Sequence, residues 1–183
     1  MSADPVVLRQ LAAVLAYPGP DLAARAAECA EALAAEHEAA AARLGRFALL
    51  ALGAGHAALE EAYTAAFDLA PVASPYVGDQ LFGASAERSH LLAGLQELRR
   101  AAGLAPAPEL PDHVTEVLRL AAAPIPAEVR EDLVRDGLAP ALEKMLAALL
   151  AARNPWADVV AAAIEVLAPR AAAVPAGALE VSP

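Results

Sequence analysis

The stretch SAERSHLLAGLQELRRAAG, residues 85–103, contains a complete helix together with its start and stop signals. Its four leucines recur at i, i+1, i+4 and i+7, the spacing that places side chains on one helical face. Ser85 stands where an N-cap accepts a backbone N–H, and Gly103 follows the last apolar turn, where helices commonly end. The stretch therefore predicts an α-helix from Ser85 to Ala102.

Composition extends this helical pattern to the whole chain. Hydrophobic residues make up 58% of the 183 residues and charged residues 20%, which is enough apolar surface to order a sizeable core. Aromatic residues are only 4%, while alanine and leucine, the strongest helix formers, dominate. We therefore predict an all-α, single-domain helical bundle of about eight to nine helices over residues 1–168, with residues 169–183 as a frayed or disordered tail.

Proline, glycine and capping residues mark most of the other predicted boundaries. Asp4-Pro5 pairs an N-cap with a proline at the first helical position, and Asn154-Pro155 has the same form near the end of the chain. Proline-rich stretches at 68–75 and 104–111 have no helical period and predict loops. Besides residues 85–102 and a first helix from Pro5, the predicted helices are 21–44, 46–52, 56–67, 75–82, 112–122, 126–136, 138–153 and 156–167.

The chain is acidic, with a formal net charge of −10 and a pI of about 4.8. Nucleic-acid-binding proteins usually present a basic face to the phosphates, and Arg99-Arg100 is the only adjacent basic pair here. We therefore expect no nucleic-acid partner. The acidity either maintains solubility or attracts a basic partner, and composition does not decide between the two.

No segment predicts secretion or a membrane span. The N-terminal stretch MSADPVVLRQ lacks the basic region and long apolar core of a secretory signal, and residues 145–152, the most apolar long run, are too few to cross a bilayer. We expect a cytoplasmic protein that is not membrane-embedded. The single cysteine, Cys29, excludes an intrachain disulfide and is expected to be a small buried hydrophobe.

Two histidine–carboxylate pairs have the spacing of a shared helical face: His56 with Glu60, and Glu87 with His90. Glu-x-x-His ligates iron in di-iron bundles, but those sites need two copies and further glutamates, and only one copy occurs here. His-Glu-x-x-His, Cys-x-x-Cys, phosphate-loop and Gly-x-Ser-x-Gly motifs do not occur. We therefore predict no metal site and no catalytic residue, and a binding protein rather than an enzyme; a metal-dependent helical enzyme is a third hypothesis.

The stretch ELPDHV, residues 109–114, concentrates two carboxylates, a proline and a histidine in an apolar chain. Its spacing fits no metal template, and no nucleophile accompanies it. Asp112 is placed to cap a helix beginning near His113. Glu109 and His113 then remain as candidate partner contacts beside the proline-rich linker, so the stretch predicts a recognition surface combined with a helix start.

Two longer segments carry a more specific signal: EEAYTAAFDLAPVASPYVGDQLFGASAERSHLLAGL from residue 60, and LRRAAGLAPAPELPDHVTEVLRLAA from residue 98. Together they closely resemble the nitrate reductase molybdenum cofactor assembly chaperones (NarJ type), within the wider family of redox-enzyme maturation proteins. Residues 15–18, Leu-Ala-Tyr-Pro, resemble the Leu-x-Tyr-Pro segment of that family. The combination that carries the resemblance is Tyr63, Phe67, Asp68, Pro71, Ser74, Tyr76, Phe82-Gly83, Arg88 and Glu109 to His113.

The resemblance implies a function that composition cannot give. Family members are all-helical, single-domain proteins without enzymatic activity. They bind the apo catalytic subunit of a molybdenum oxidoreductase in the cytoplasm, commonly at its N-terminal peptide, which is or resembles a twin-arginine signal. They bind no cofactor stably but support insertion of molybdopterin guanine dinucleotide into the client, before membrane attachment or export. The family also implies a monomer or a helix-exchanged dimer.

The chain departs from the family pattern at several positions. It has Ala84 and Ala86 where relatives often carry Asp and Arg, and Arg99 where an aromatic residue is common. The class of client therefore stays open among enzymes acting on nitrate, selenate, chlorate, dimethyl sulfide or ethylbenzene. The alternative hypothesis is an all-α regulatory or scaffold domain that binds proteins without a molybdoenzyme client.

The resemblance also assigns candidate client contacts. Aromatic side chains at 63, 67 and 76 are expected to line a peptide groove, with core packing as the alternative. Asp68 is expected either to receive a client arginine or to cap the turn before Pro71. The full client-binding set is Tyr63, Phe67, Asp68, Tyr76, Glu109, Asp112 and His113.

Structural roles are assigned to the remaining motif residues. Arg88 is expected to orient a neighbouring carboxylate, and Pro111 to be part of a hinge before the following helix. Leu81 and Phe82 are expected to be core residues.

Overall fold

The structure, a computed structural model, describes residues 4–168. Local signals begin its helices where the sequence predicts. Asp4 Oδ1 accepts the backbone N–H of Val6 at 2.8 Å, and Asn154 Oδ1 accepts that of Trp156 at 3.0 Å. The helices are α1 (Pro5–Val14), α2 (Leu22–Leu33), α3 (Glu38–Ala54), α4 (His56–Phe67), α5 (Val77–Phe82), α6 (Ala86–Ala101), α7 (Val114–Ala121), α8 (Ala127–Asp132), a π-helical segment (Leu133–Leu138), α9 (Ala139–Ala151) and α10 (Trp156–Leu167).

The predicted fold class is confirmed. The described residues are 72% helical and form no strand, and the single isolated bridge among them joins Tyr76 to His113. Counting the continuous run α8, π-helical segment and α9 as one helix, residues 4–168 form nine helices in one compact body. The predicted tail, residues 169–183, lies outside the described residues.

The helices pack against one another in a closed ring that begins and ends at α1. The hairpin of α2 and α3 packs against α1 on one side and α10 on the other, and α10 packs on α9. Helix α5 bridges α9 and α6, while α7 joins α6 to α1. This arrangement brings the segment before α5 and the segment before α7 together, which positions the candidate site.

The core is built mainly from alanine, leucine and valine, with one aromatic centre. Trp156 is completely buried, and the Phe47 ring meets it edge to face with centroids 5.1 Å apart. Cys29 is also completely buried, as predicted, and burial raises the pKa of its thiol to about 12. The few large rings thus concentrate where α3, α4 and α10 meet.

Two predicted helix boundaries are wrong. The helix predicted for 21–44 is broken at residues 34–37, and the part after the break is continuous with the helix predicted for 46–52. The break turns the chain so that α2 and α3 pack against each other and bury Cys29 and Leu44. No glycine or proline stands at this turn, so the sequence carries no local signal for it.

The second error is at Gly137, where a break was predicted but the helix continues through the π-helical segment into α9. Pro140 follows this segment. Its ring has no N–H and would clash with the carbonyl of Asp136 in a regular α-helix. A wider π-type turn before the proline accommodates the ring and keeps the helix continuous.

Candidate functional site

Tyr63 lies at the junction of α1, α4 and α10. Its ring meets Tyr17, Phe67 and Trp156 edge to face, with centroid distances of 5.3, 5.0 and 5.4 Å. Its hydroxyl donates to the Leu15 carbonyl at 3.4 Å, and 7% of the residue is exposed. Such edge-to-face pairs fix ring orientation beyond what burial alone provides. Tyr63 is therefore a buried residue that supports the surface above it.

Tyr17 continues this aromatic cluster to the surface. It is 56% exposed, and its hydroxyl donates to Glu60 Oε1 at 3.2 Å. Glu60 Oε1 also lies 3.4 Å from His56 Nε2. Desolvation, the hydrogen bond to Glu60 and the charges of Glu60 and Asp68 all raise the pKa of Tyr17. Two carboxylates therefore border an exposed tyrosine.

The segments before α5 and α7 are joined by two backbone hydrogen bonds. The Val77 N–H donates to the Asp112 carbonyl at 2.7 Å, and the Val114 N–H donates to the Pro75 carbonyl at 2.8 Å. This pairing sets the rings of Tyr76 and His113 edge to face at 5.4 Å. Residues 37 positions apart in sequence thereby form a single unit.

An ion network fixes this unit from beneath. Asp112 is completely buried, and its Oδ2 accepts from Arg88 Nε at 3.0 Å. Arg88 also donates to Asp79 Oδ1 at 3.2 Å and places its guanidinium carbon 5.4 Å from the centroid of the Tyr76 ring. Arg88 thus orients two carboxylates and supports Tyr76, in agreement with its predicted structural role.

Gly78 leaves the room that this network needs. A Cβ at this position would lie 2.8 Å from Asp112 Oδ2 and 2.9 Å from Arg88 Cγ, both closer than real Cβ contacts. The Asp112 carboxylate cannot relieve this contact by moving into solvent, since it is completely buried. Glycine is therefore required here by close approach rather than by backbone angles.

His113 begins α7 as its N-cap. Its Nδ1 accepts the backbone N–H of Thr115 at 3.3 Å and lies 2.7 Å from the Thr115 hydroxyl. An accepting Nδ1 places the proton of the neutral ring on Nε2. Burial lowers the pKa of His113, and the charges of Glu109, Glu116 and Asp112 oppose that shift. The ring is therefore neutral at pH 7.

Glu109 connects this unit to the aromatic cluster. Its Oε2 accepts from the Tyr76 hydroxyl at 3.4 Å. Burial raises the pKa of Tyr63, and the negative charges of Glu109 and Asp68 raise it further. We call the surface formed by Tyr17, Glu60, Asp68, Tyr76 and Glu109 the acidic-aromatic surface.

A groove borders the acidic-aromatic surface on the side of α6. It has a volume of about 320 Å³ and is lined by side chains of α6 and of the linker that follows it, including Glu109 and Pro111. Arg99 lines it as well, and its guanidinium bonds Glu116 and the Ala105 carbonyl. The groove therefore extends the surface along the linker.

The structure brings the predicted client-contact residues together but buries several of them. Asp68 and Glu109 are exposed and Tyr76 is half-buried. Tyr63 and Phe67 are 7% and 6% exposed, so they belong to the core beneath the surface.

Two expectations for the stretch 109–114 are corrected. Asp112 does not cap α7, because its carboxylate is buried against Arg88 while His113 provides the cap. His113 is only 4% exposed and is not displayed beside the linker. Of the two proposed contact residues in this stretch, Glu109 alone lies on the surface. Pro111 is half-buried in the turn that the His113 N–H closes on the Leu110 carbonyl at 3.0 Å.

One core prediction next to the site is also wrong. Phe82 is 44% exposed, whereas Leu81 packs partly buried against the core. Phe82 is the last residue of α5, which ends at Gly83. A six-residue helix is too short for its period to identify its inner face.

The sequence did not identify Tyr17, Glu60 or Gly78 as site residues. In the sequence, Tyr17 belongs to the Leu-Ala-Tyr-Pro segment that resembles the family, without a predicted contact, and Glu60 is only a possible metal-binding partner of His56. The i, i+4 spacing of His56 and Glu60 was a usable signal for an exposed carboxylate on α4. Nothing local marks Gly78, because its neighbours Asp112 and Arg88 are distant in sequence.

Within residues 4–168, no group of three or more histidine, cysteine, aspartate or glutamate side chains is arranged to hold a metal ion. None of the helices in that part of the chain has both the length and the apolar character needed to cross a bilayer.

Comparison with known proteins adds no assignment. No family model matches the sequence, and no curated protein is significantly similar to it.

Proposed function

We propose that this chain is a cytoplasmic chaperone that binds the apo catalytic subunit of a molybdenum oxidoreductase, at its N-terminal peptide. The observation that carries the proposal is the acidic-aromatic surface, where Glu60 and Glu109 accept hydrogen bonds from the exposed Tyr17 and the half-buried Tyr76. The exposed Asp68 adds a further negative charge that acts on Tyr17. Carboxylates form charge-assisted hydrogen bonds with arginine, and tyrosine faces accept cations and apolar side chains. A basic, amphipathic peptide has the matching chemistry.

The proposed role is binding rather than catalysis. The chain would hold the client competent for insertion of molybdopterin guanine dinucleotide, without keeping the cofactor itself. The sequence resemblance over residues 60–122 supports this role, and the clustering of its motif residues is compatible with it. The groove along residues 96–111 offers additional length for a peptide that extends beyond the surface.

Affinity capture from cytoplasm with the full-length chain tests the proposal, followed by identification of the bound protein. The expected result is a molybdenum oxidoreductase catalytic subunit, which the variant Asp68→Asn/Glu109→Gln captures at least about tenfold less. Glu128→Gln/Glu131→Gln is the matched control, because it removes the same charge from exposed positions of α8 that do not line the groove. Reproducible capture of an unrelated protein through the same residues would favour the alternative of a scaffold domain.

A further inference from the structure

Helix α3 carries two leucines on the face opposite its buried side. Its buried residues recur with the helical period and pack against α2 and α10. At 100° per residue, Leu49 lies opposite that stripe, and Leu52 lies about 60° around the helix from Leu49, toward the edge of the stripe. They are 72% and 76% exposed, and Leu50 on the flank is 46% exposed. Three neighbouring leucines on one helix are an apolar patch that a solitary soluble chain seldom leaves in water.

This patch lies in an unusual electrostatic setting. The chain carries 23 acidic residues, yet none occurs from residue 39 to residue 59. The neighbouring cations are already matched, since Arg46 pairs with Asp158 at 2.8 Å and Arg43 pairs with Glu165 at 2.7 Å. The outer face of α3 is therefore close to neutral on a protein with a formal net charge of −10.

Small residues lie beside the leucines on the same face. Ala42 and Gly45 precede Leu49 by seven and four residues, which places them about two turns and one turn away on the outer side. A Cβ at Gly45 would meet nothing within 4 Å. One helix thus presents two protruding side chains next to two small residues, an arrangement that can be complementary to a second copy of itself.

We propose that the outer face of α3 binds α3 of a second copy of this chain across a twofold axis. In an antiparallel crossing, Leu49 and Leu52 of each copy would cover Ala42 and Gly45 of the other, so that both sets of contacts are equivalent. The absence of acidic residues allows close approach here, whereas acidic surfaces elsewhere on two such chains repel each other. The contact needs no exchange of helices, and it is independent of the proposed function.

Analytical ultracentrifugation of the full-length chain tests the contact. The wild-type chain is expected to dimerise, and Leu49→Glu/Leu52→Glu is expected to weaken the dimer at least about 100-fold, because four carboxylates would meet at the axis. Leu69→Glu/Leu110→Glu is the matched control, since its leucines are 78% and 48% exposed outside α3. Circular dichroism verifies that all variants keep the wild-type helix content.

A charge-swap experiment makes the test specific for a twofold contact. Leu49→Lys/Leu52→Lys is expected to be monomeric alone, and an equimolar mixture with the glutamate variant is expected to restore a dimer containing one copy of each. A wild-type chain that stays monomeric overturns the proposal. So does a dimer that persists in the glutamate variant, as helix exchange would give, or a mixture that forms no dimer.

Discussion

Gly78 is the residue of the site with the least room for change. Replacing it with alanine places a Cβ against the buried Asp112 carboxylate and Arg88. We expect Gly78→Ala to lower the free energy of unfolding by about 1–3 kcal/mol, since overpacking forces a shift of a network that is already bonded. Chemical denaturation at equilibrium measures the change.

Gly94→Ala is the control for this substitution. Gly94 lies inside α6 with nothing within 4 Å of its Cβ position, so alanine there is expected to stabilise the chain by about 0.5–1 kcal/mol. The same sign of change at both positions would contradict the role assigned to Gly78.

His113 makes the stability of the chain depend on pH. Burial lowers its pKa, so the folded protein binds this proton less readily than the unfolded chain, where a free histidine has a pKa of about 6.5. Its contribution is therefore present above about pH 6.5 and is lost as the pH falls through the lowered pKa. We expect the stability advantage of wild type over His113→Gln to be smaller at about pH 5 than at about pH 7.5.

Urea unfolding of both proteins at the two pH values measures this difference. His90→Gln, which removes an exposed imidazole from α6, is the matched control. An advantage of equal size at both pH values would show that His113 acts only as a cap.

At the residue scale, sequence reasoning selected residues that the structure brings together, but it did not predict which of them are exposed. It selected the residues at 76, 109, 112 and 113, which the structure joins in one unit. It could not separate the exposed Glu109 from the buried Asp112, because the partner that compensates burial of Asp112 is Arg88, 24 residues away. The sequence alone does not distinguish the two carboxylates, because the difference between them arises from a tertiary contact.

At the scale of elements, Asn154 joins two helices. Its Oδ1 caps α10 at Trp156, and its Nδ2 donates to the Ala62 carbonyl of α4 at 2.8 Å. We expect Asn154→Ala to lower the free energy of unfolding by about 2–3 kcal/mol, because it removes a cap and leaves the Ala62 carbonyl without this donor. Thermal and urea unfolding measure the loss.

Asp4→Ala provides the comparison. Asp4 makes one exposed capping bond at the start of α1, so its loss is expected to cost about 1 kcal/mol. Equal losses in the two variants would show that the link to α4 contributes nothing.

Helix boundaries divide into those set locally and those set by packing. Asp4, Ser85 and Asn154 accept backbone N–H groups within three residues, so sequence alone predicted these starts. The break at residues 34–37 has no such signal, because what stabilises it is the antiparallel packing of α2 on α3. In an alanine-rich stretch, a continuous helix and a helical hairpin have nearly the same local propensity.

At the scale of the whole molecule, the charge is unevenly distributed. Composition alone gives the net charge of −10. The fold is needed to see that acidic residues are absent from the outer face of α3 and are concentrated around Tyr17 and Tyr76. A long-range field accelerates encounter with a basic partner, whereas short-range contacts decide how long the partner stays. The two effects are separable by kinetics.

We therefore expect the N-terminal peptide of the captured client to associate more slowly as ionic strength rises from about 0.05 to 0.5 M, with little change in its dissociation rate. Stopped-flow fluorescence with a labelled peptide measures both rates.

Asp68→Asn/Glu109→Gln should weaken binding mainly by faster dissociation, since it removes direct contacts. Glu128→Gln/Glu131→Gln carries the same net charge and should retain the wild-type dissociation rate. If the two variants dissociate alike, net charge rather than the acidic-aromatic surface governs binding.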